Sequence, residues 1–84
     1  MKTYLILTQR NEDRCWDNKE DGLTSLQEAR KAARRYLRTG YDQVLIEQTD
    51  SSTGDWWYPC YLTRFADGKI WETNRQDYIQ TIIN

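Results

Sequence analysis

The groups in this chain that can do chemistry are few and loosely spaced. Asp13, Asp17, Glu20 and Asp21 bring carboxylates together in one polar stretch, where a pair could share acid–base work. Arg14 and Lys19 are interspersed with them, so a solvated cluster or a weak divalent-cation site is the alternative. Cys15 and Cys60 are the only cysteines and stand far apart with no histidine beside them. That spacing supports neither a zinc site nor an activated thiol nucleophile. Histidine is absent altogether, which removes the residue most used as general base and the commonest metal ligand. The four glycines are scattered and form no phosphate-cradling loop. The expectation is a protein that is not an enzyme, with no catalytic residue, no metal and no cofactor.

What remains is binding, and two sets of residues suit it. The first is cationic: Arg30, Arg34 and Arg38 recur at i, i+4 spacing, with Lys31 and Arg35 beside them and only Glu28 opposing. Such a row can hold an acidic protein surface or phosphates, and its plain alternative is a solvated helix face. The second is aromatic: Trp56, Trp57, Tyr58, Tyr61 and Phe65 fall in ten residues. In a regular strand Trp57, Tyr61 and Phe65 point one way, with Ile70 beside them. Tyr58, Cys60 and Leu62 point the other way, with Trp71. Neither face is then polar, and the readings are core on both faces, a partner-binding face or a homodimer face.

The element that must carry the cations is a helix over residues 26–39. Ser25 with Glu28 three residues on forms a capping box. Leu26, Ala29, Ala33, Tyr36 and Leu37 make one apolar stripe, and Gly40 suits the helix end, with Tyr41 folding back on Tyr36. Thr3 to Gln9 is an apolar run without alternation, the pattern of a strand inside a sheet. Residues 10–24 are polar and turn-rich, and predict a long loop pinned by Trp16. Gln43 to Gln48 is a second strand, joined to the first through the helix and so expected to lie parallel to it. Residues 57–73 predict a hairpin about Asp67-Gly68, a dipeptide of type I′ turns that pairs Phe65 with Ile70 and Arg64 with Trp71. Residues 74–84 suit a short helix, with a final strand as the alternative.

The fold class that follows is α+β: one small domain over residues 1–84 in the order β-α-β-β-β-α. A four-stranded mixed sheet carries the main helix on one face. A chain of 84 residues buries roughly 60% of its unfolded surface, so its four Trp and six Tyr are the economical way to fill a small core. The net charge of −1 argues against a general nucleic-acid binder. No signal peptide or membrane-length apolar run is visible, which leads to an expectation of free thiols and a cytoplasmic location.

The opening Thr3-Tyr4-Leu5-Ile6 strand, the Ala-rich helix, the following strand and the aromatic hairpin loosely resemble, as a layout, small proteins of bacteriophages and mobile elements, anti-CRISPR inhibitors among them. The order of elements also resembles double-stranded-RNA-binding domains, but the basic cluster those domains carry at their last helix is missing. The phage-protein resemblance implies a short, non-catalytic protein that inhibits a host defence complex by covering its working surface. The expected function is thus a protein-binding module acting through Arg30, Lys31, Arg34, Arg35 and Arg38 and through Trp56, Trp57, Tyr58 and Tyr61. The alternatives are a nucleic-acid-binding accessory protein using the basic helix, or a homodimeric structural protein.

Overall fold

The computed structural model describes residues 1–10 and 15–73. Within them the order is β1 (Lys2–Gln9), β2 (Asp17–Leu23), α1 (Leu26–Arg38), β3 (Gln43–Asp50), β4 (Trp56–Arg64) and β5 (Ile70–Thr73). The strands form one five-stranded sheet in the order β2-β1-β3-β4-β5, and every neighbouring pair is antiparallel. The molecule is a small α+β fold with one described helix, and its sheet differs from expectation in three respects.

The first difference is β2. The stretch expected as loop over 10–24 becomes a strand from Asp17, folding back on β1. Its pairing is interrupted twice, between Tyr4 and Ile6 and between Ile6 and Leu7, so its side chains keep no simple alternation. Gly22 supplies a positive φ of 76° at this irregular edge. The second follows from it. With β2 inserted, the connection through α1 joins β2 to β3, which point the same way and flank β1. β1 and β3 therefore run antiparallel, not parallel as expected. The expected four-stranded mixed sheet is a five-stranded antiparallel one. The helix expected within 74–84 lies outside the described residues.

The third difference is register in the β4–β5 hairpin. Arg64 pairs with Ile70 and Thr63 with Trp71, one residue out from the expected match. The amide of Gly68 donates to the Phe65 carbonyl at 2.9 Å, that of Phe65 donates to the Lys69 carbonyl at 2.8 Å, and Gly68 has φ 89°. This is a type I turn followed by a left-handed glycine, not the two-residue type I′ turn. A one-residue slip exchanges faces. Ile70 and Glu72 therefore lie on the helix side and Trp71 on the other.

α1 begins as its sequence requires: the Ser25 hydroxyl accepts from the Glu28 amide at 3.4 Å. At its end Tyr36 and Tyr41 meet edge-on at 5.9 Å, past Gly40 with φ 115°. Ala29, Ala32, Ala33 and Leu37 are the buried stripe. The small alanines bring the helix axis close to the sheet, and Ile6, Val44, Ile46 and Leu62 close the core beneath it. Leu37 is wholly buried. Leu37→Ala is expected to lower unfolding stability by about 2–5 kcal/mol in urea titration, while its exposed neighbour Arg38→Ala changes it by no more than about 0.5 kcal/mol.

Candidate functional site

The basic row of α1 is largely committed within the molecule. Arg30 grips Glu72 of β5 with two bonds, Nε to Oε1 and Nη2 to Oε2, both 2.7 Å. Arg34 adds a third, 3.3 Å to Oε2. On the opposite flank Arg35 reaches both oxygens of Glu20 in β2 at 3.2 and 3.1 Å. α1 therefore clasps both edge strands, β5 through Arg30 and Arg34 and β2 through Arg35. Lys31 and Arg38 are exposed and make no ion pair among the described residues. The row expected as one continuous cationic surface is thus divided between a structural clasp and two outward charges.

Glu72 has a further neighbour. The Cys60 thiol donates to its Oε1 at 2.9 Å, in a hollow that Leu26, Pro59 and Thr73 also line. The hydrogen bond from Arg30 is the largest influence on the Glu72 carboxyl, and against the cost of its partial burial it holds the group at about 2. Burial first, and then the Glu72 carboxylate, pushes the Cys60 thiol up to about 12. A thiol so placed is protonated and shielded at neutral pH, whereas Cys15 is exposed.

The carboxylates considered for acid–base work do not converge. Glu20 is paired to Arg35, the Asp21 carboxylate accepts from the Gly22 amide at 2.6 Å, and Asp13 lies outside the described residues. No group of three or more His, Cys, Asp and Glu able to hold a metal is present among the described residues. No described helix is long and apolar enough to cross a membrane.

The aromatic residues divide differently from expectation, and the cause is a bulge in β4. Ile46 pairs with Cys60, but Gln48 pairs with Trp57, so β4 spends one extra residue at Tyr58–Pro59 opposite Glu47. Proline has no amide to give a ladder, and a bulge is where a strand can hold it. The extra residue reverses the alternation. Tyr58 joins Tyr61, Leu7 and Leu45 on the face that α1 leaves uncovered, and Trp57 parts from Tyr61. Phe65, expected beside Tyr61, lies beyond the end of β4 and is exposed.

The registers arrange this face in transverse rows. Across its middle run Asn18, Leu7, Leu45, Tyr61 and Thr73, one from each strand. Trp16 packs edge-on to Tyr61 at 6.5 Å, as the pin expected of it. On one side lie Gln9, Gln43, Thr63 and Trp71. On the other, Leu5 faces Glu47 beside Tyr58, and Thr3 faces Thr49, which pairs with Trp56. Trp56 and Tyr58 meet edge-on at 5.5 Å and 72°. Trp56 is 61% exposed and Trp71 43%. Trp71, expected on the face of Cys60 and Leu62, lies on that of Tyr61 instead, and Glu47 is a member that the sequence did not single out. A three-residue reading of the turn would have placed Trp71 here, and would have set Glu72 under the arginine row.

No protein-family model matches the chain, and neither a curated protein nor a solved structure matches it.

The clasp has measurable consequences. The Glu72 carboxyl titrates lower in the folded chain than its ordinary value of 4.5, so its stabilisation is present above about pH 4.5 and is lost as pH falls toward about 2. Glu72→Gln is expected to be less stable than the native sequence at pH 7, with the gap closing across that window. Arg34→Glu, which sets a second carboxylate beside Glu72, is expected to lower the thermal midpoint at pH 7. Ellman's reagent is expected to titrate one thiol, Cys15, in the folded protein and both after denaturation, and equal fast reaction of both would contradict the placement of Cys60.

Proposed function

We propose that the chain is a non-catalytic protein-binding module whose working surface is formed by the exposed aromatics on the face of the sheet opposite α1. The observation that carries this reading is the exposure of Trp56 and Trp71 on a face where Leu7, Leu45, Tyr58 and Tyr61 already form an apolar floor. Large aromatics standing on a buried apolar base are the composition of binding hot spots, because each desolvates a wide area at little cost in side-chain entropy. The layout resemblance to phage and mobile-element inhibitors gives the mechanism its form. The module would occlude the working surface of a host defence complex, with Lys31 and Arg38 adding long-range steering.

The arginine clasp lowers the weight of the nucleic-acid reading. Phosphates would have to compete with Glu72 and Glu20 for Arg30, Arg34 and Arg35, and Lys31 and Arg38 alone make a small electrostatic footprint. The homodimer reading uses the same aromatic face and differs only in its occupant.

The test is capture from nuclease-treated bacterial lysate with the native chain and with Trp56→Ala/Trp71→Ala. Both tryptophans are exposed, so the double variant is expected to keep its thermal midpoint within a few degrees and to lose capture by about tenfold or more. Undiminished capture by the variant would remove the aromatic face from the account. A native chain that sediments as a dimer, with the variant a monomer, would assign that face to self-association.

A further inference from the structure

The five strands do not share the core equally. β1, β3, β4 and β5 each contribute at least one buried side chain. β2 contributes none: Glu20 and Leu23 are half-buried and its other residues are exposed. The ladders divide in the same way. β1 pairs with β3 without interruption from Lys2 to Gln9. Against β2 it keeps the partners of Tyr4, Ile6, Leu7 and Thr8, with two breaks in register among them. β1 is therefore held by β3 and by Ile6 in the core under the helix, and neither tie depends on β2.

The ties of β2 are of two kinds. In its middle, Glu20 meets the Arg35 guanidinium at 3.1 Å, and the Lys19 ammonium lies 5.1 Å from the Tyr41 centroid. The Arg35 and Lys19 side chains are exposed, and ion pairs and cation–ring contacts so open to water contribute little. Its apolar ties are at the ends. Trp16, just before the strand, packs on the cluster of Leu7, Leu45 and Tyr61, and Leu23 packs on the core beneath α1. Next to Leu23 stands Gly22 with φ 76°, a left-handed conformation that glycine adopts without strain and a point where the backbone can turn. A segment that buries little apolar area, and whose polar ties face water, opens at a lower free energy than the body it lies on.

We propose that residues 16–21 form a strap. The polar part of β2, with Trp16 at its head, leaves β1 as a unit about Gly22, while α1 and the ladder of β1, β3 and β4 stay folded. Opening uncovers the outer edge of β1 and carries Trp16 off the cluster of Leu7, Leu45 and Tyr61. The inference stands apart from the reading of the exposed aromatics as a docking surface, and neither needs the other.

The test is native-state hydrogen exchange of the full chain, followed amide by amide by NMR at several low urea concentrations. Amides of the β1–β2 ladder are expected to exchange at least about tenfold faster than those of the β1–β3 ladder. Their rates are expected to depend little on urea, because the opening exposes little surface. β1 supplies its own control, since its amides turn alternately toward β2 and toward β3. Trp16→Ala is expected to quicken exchange in the β1–β2 ladder several-fold and to leave the β1–β3 ladder unchanged. Glu20→Gln is expected to act in the same direction by no more than about fivefold, the upper range for an exposed ion pair. Amides of both ladders exchanging at one rate, with one urea dependence, would make β2 part of the global unit and overturn the proposal. Exchange between β1 and β2 that neither substitution quickens would overturn it as well, since the ties named for the strap would not be the ones that hold it.

Discussion

One helix of thirteen residues can cover only one face of a five-stranded sheet, and everything distinctive in this fold follows from how the chain uses the other face. The helix face is closed by aliphatic side chains and alanines, with Tyr4 and Cys60 among them. The other face carries Trp16, Trp56, Tyr58, Tyr61 and Trp71, and Trp56 and Tyr58 join it because β4 carries one residue more than its partner opposite Glu47. Without that residue Tyr58 would share a face with Cys60 and Leu62, on the helix side of the sheet. Pro59 fits this site and no regular position in an interior strand. The bulge therefore does two things at once. It accommodates a residue that cannot donate to the ladder, and it turns Trp56 and Tyr58 to the side where Tyr61 already lies.

The second organising interaction is electrostatic. The edge strands are the weakest parts of an open sheet: β5 is four residues long and β2 is polar and doubly bulged. Each is tied to α1 by an arginine–carboxylate pair, and the Arg30–Glu72 pair is bidentate and partly sheltered, the geometry in which such pairs contribute most. The clasp sets three of the five helix cations, Arg30, Arg34 and Arg35, against carboxylates of the edge strands. Much of the helix's charge is balanced internally by residues distant in sequence.

The legible parts of this structure were those fixed by neighbours in the chain. The cap at Ser25, the stripe through Ala29, Ala33 and Leu37, and the contact of Tyr41 with Tyr36 all depend on residues within a turn or two, and the sequence pattern placed them. β2 was hidden because its seven residues are almost wholly polar and its two irregularities destroy alternation. The hairpin register was missed because Asp67-Gly68 suits two turn types that differ by one residue in the loop, and that residue decides the face of Trp71 and Glu72. The aromatic residues were recognised as a binding candidate, but their grouping was not, since alternation counted through Pro59 ignores the bulge. The arginine row was seen as cationic, while its carboxylate partners, Glu20 and Glu72, become neighbours only when the sheet forms.

The central claim is that the bulge at Tyr58–Pro59 gathers Trp56, Tyr58 and Tyr61 on the face opposite the helix. Aromatic nuclear Overhauser contacts in the free protein test it directly. The account predicts cross-peaks from Trp56 to Tyr58, from Tyr61 to Leu45 and Trp16, and from Tyr58 to the Leu7–Leu45 floor. Cross-peaks joining Trp57 to Tyr61, or Tyr58 to Leu62 and the helix alanines, would mean a regular strand and would contradict it.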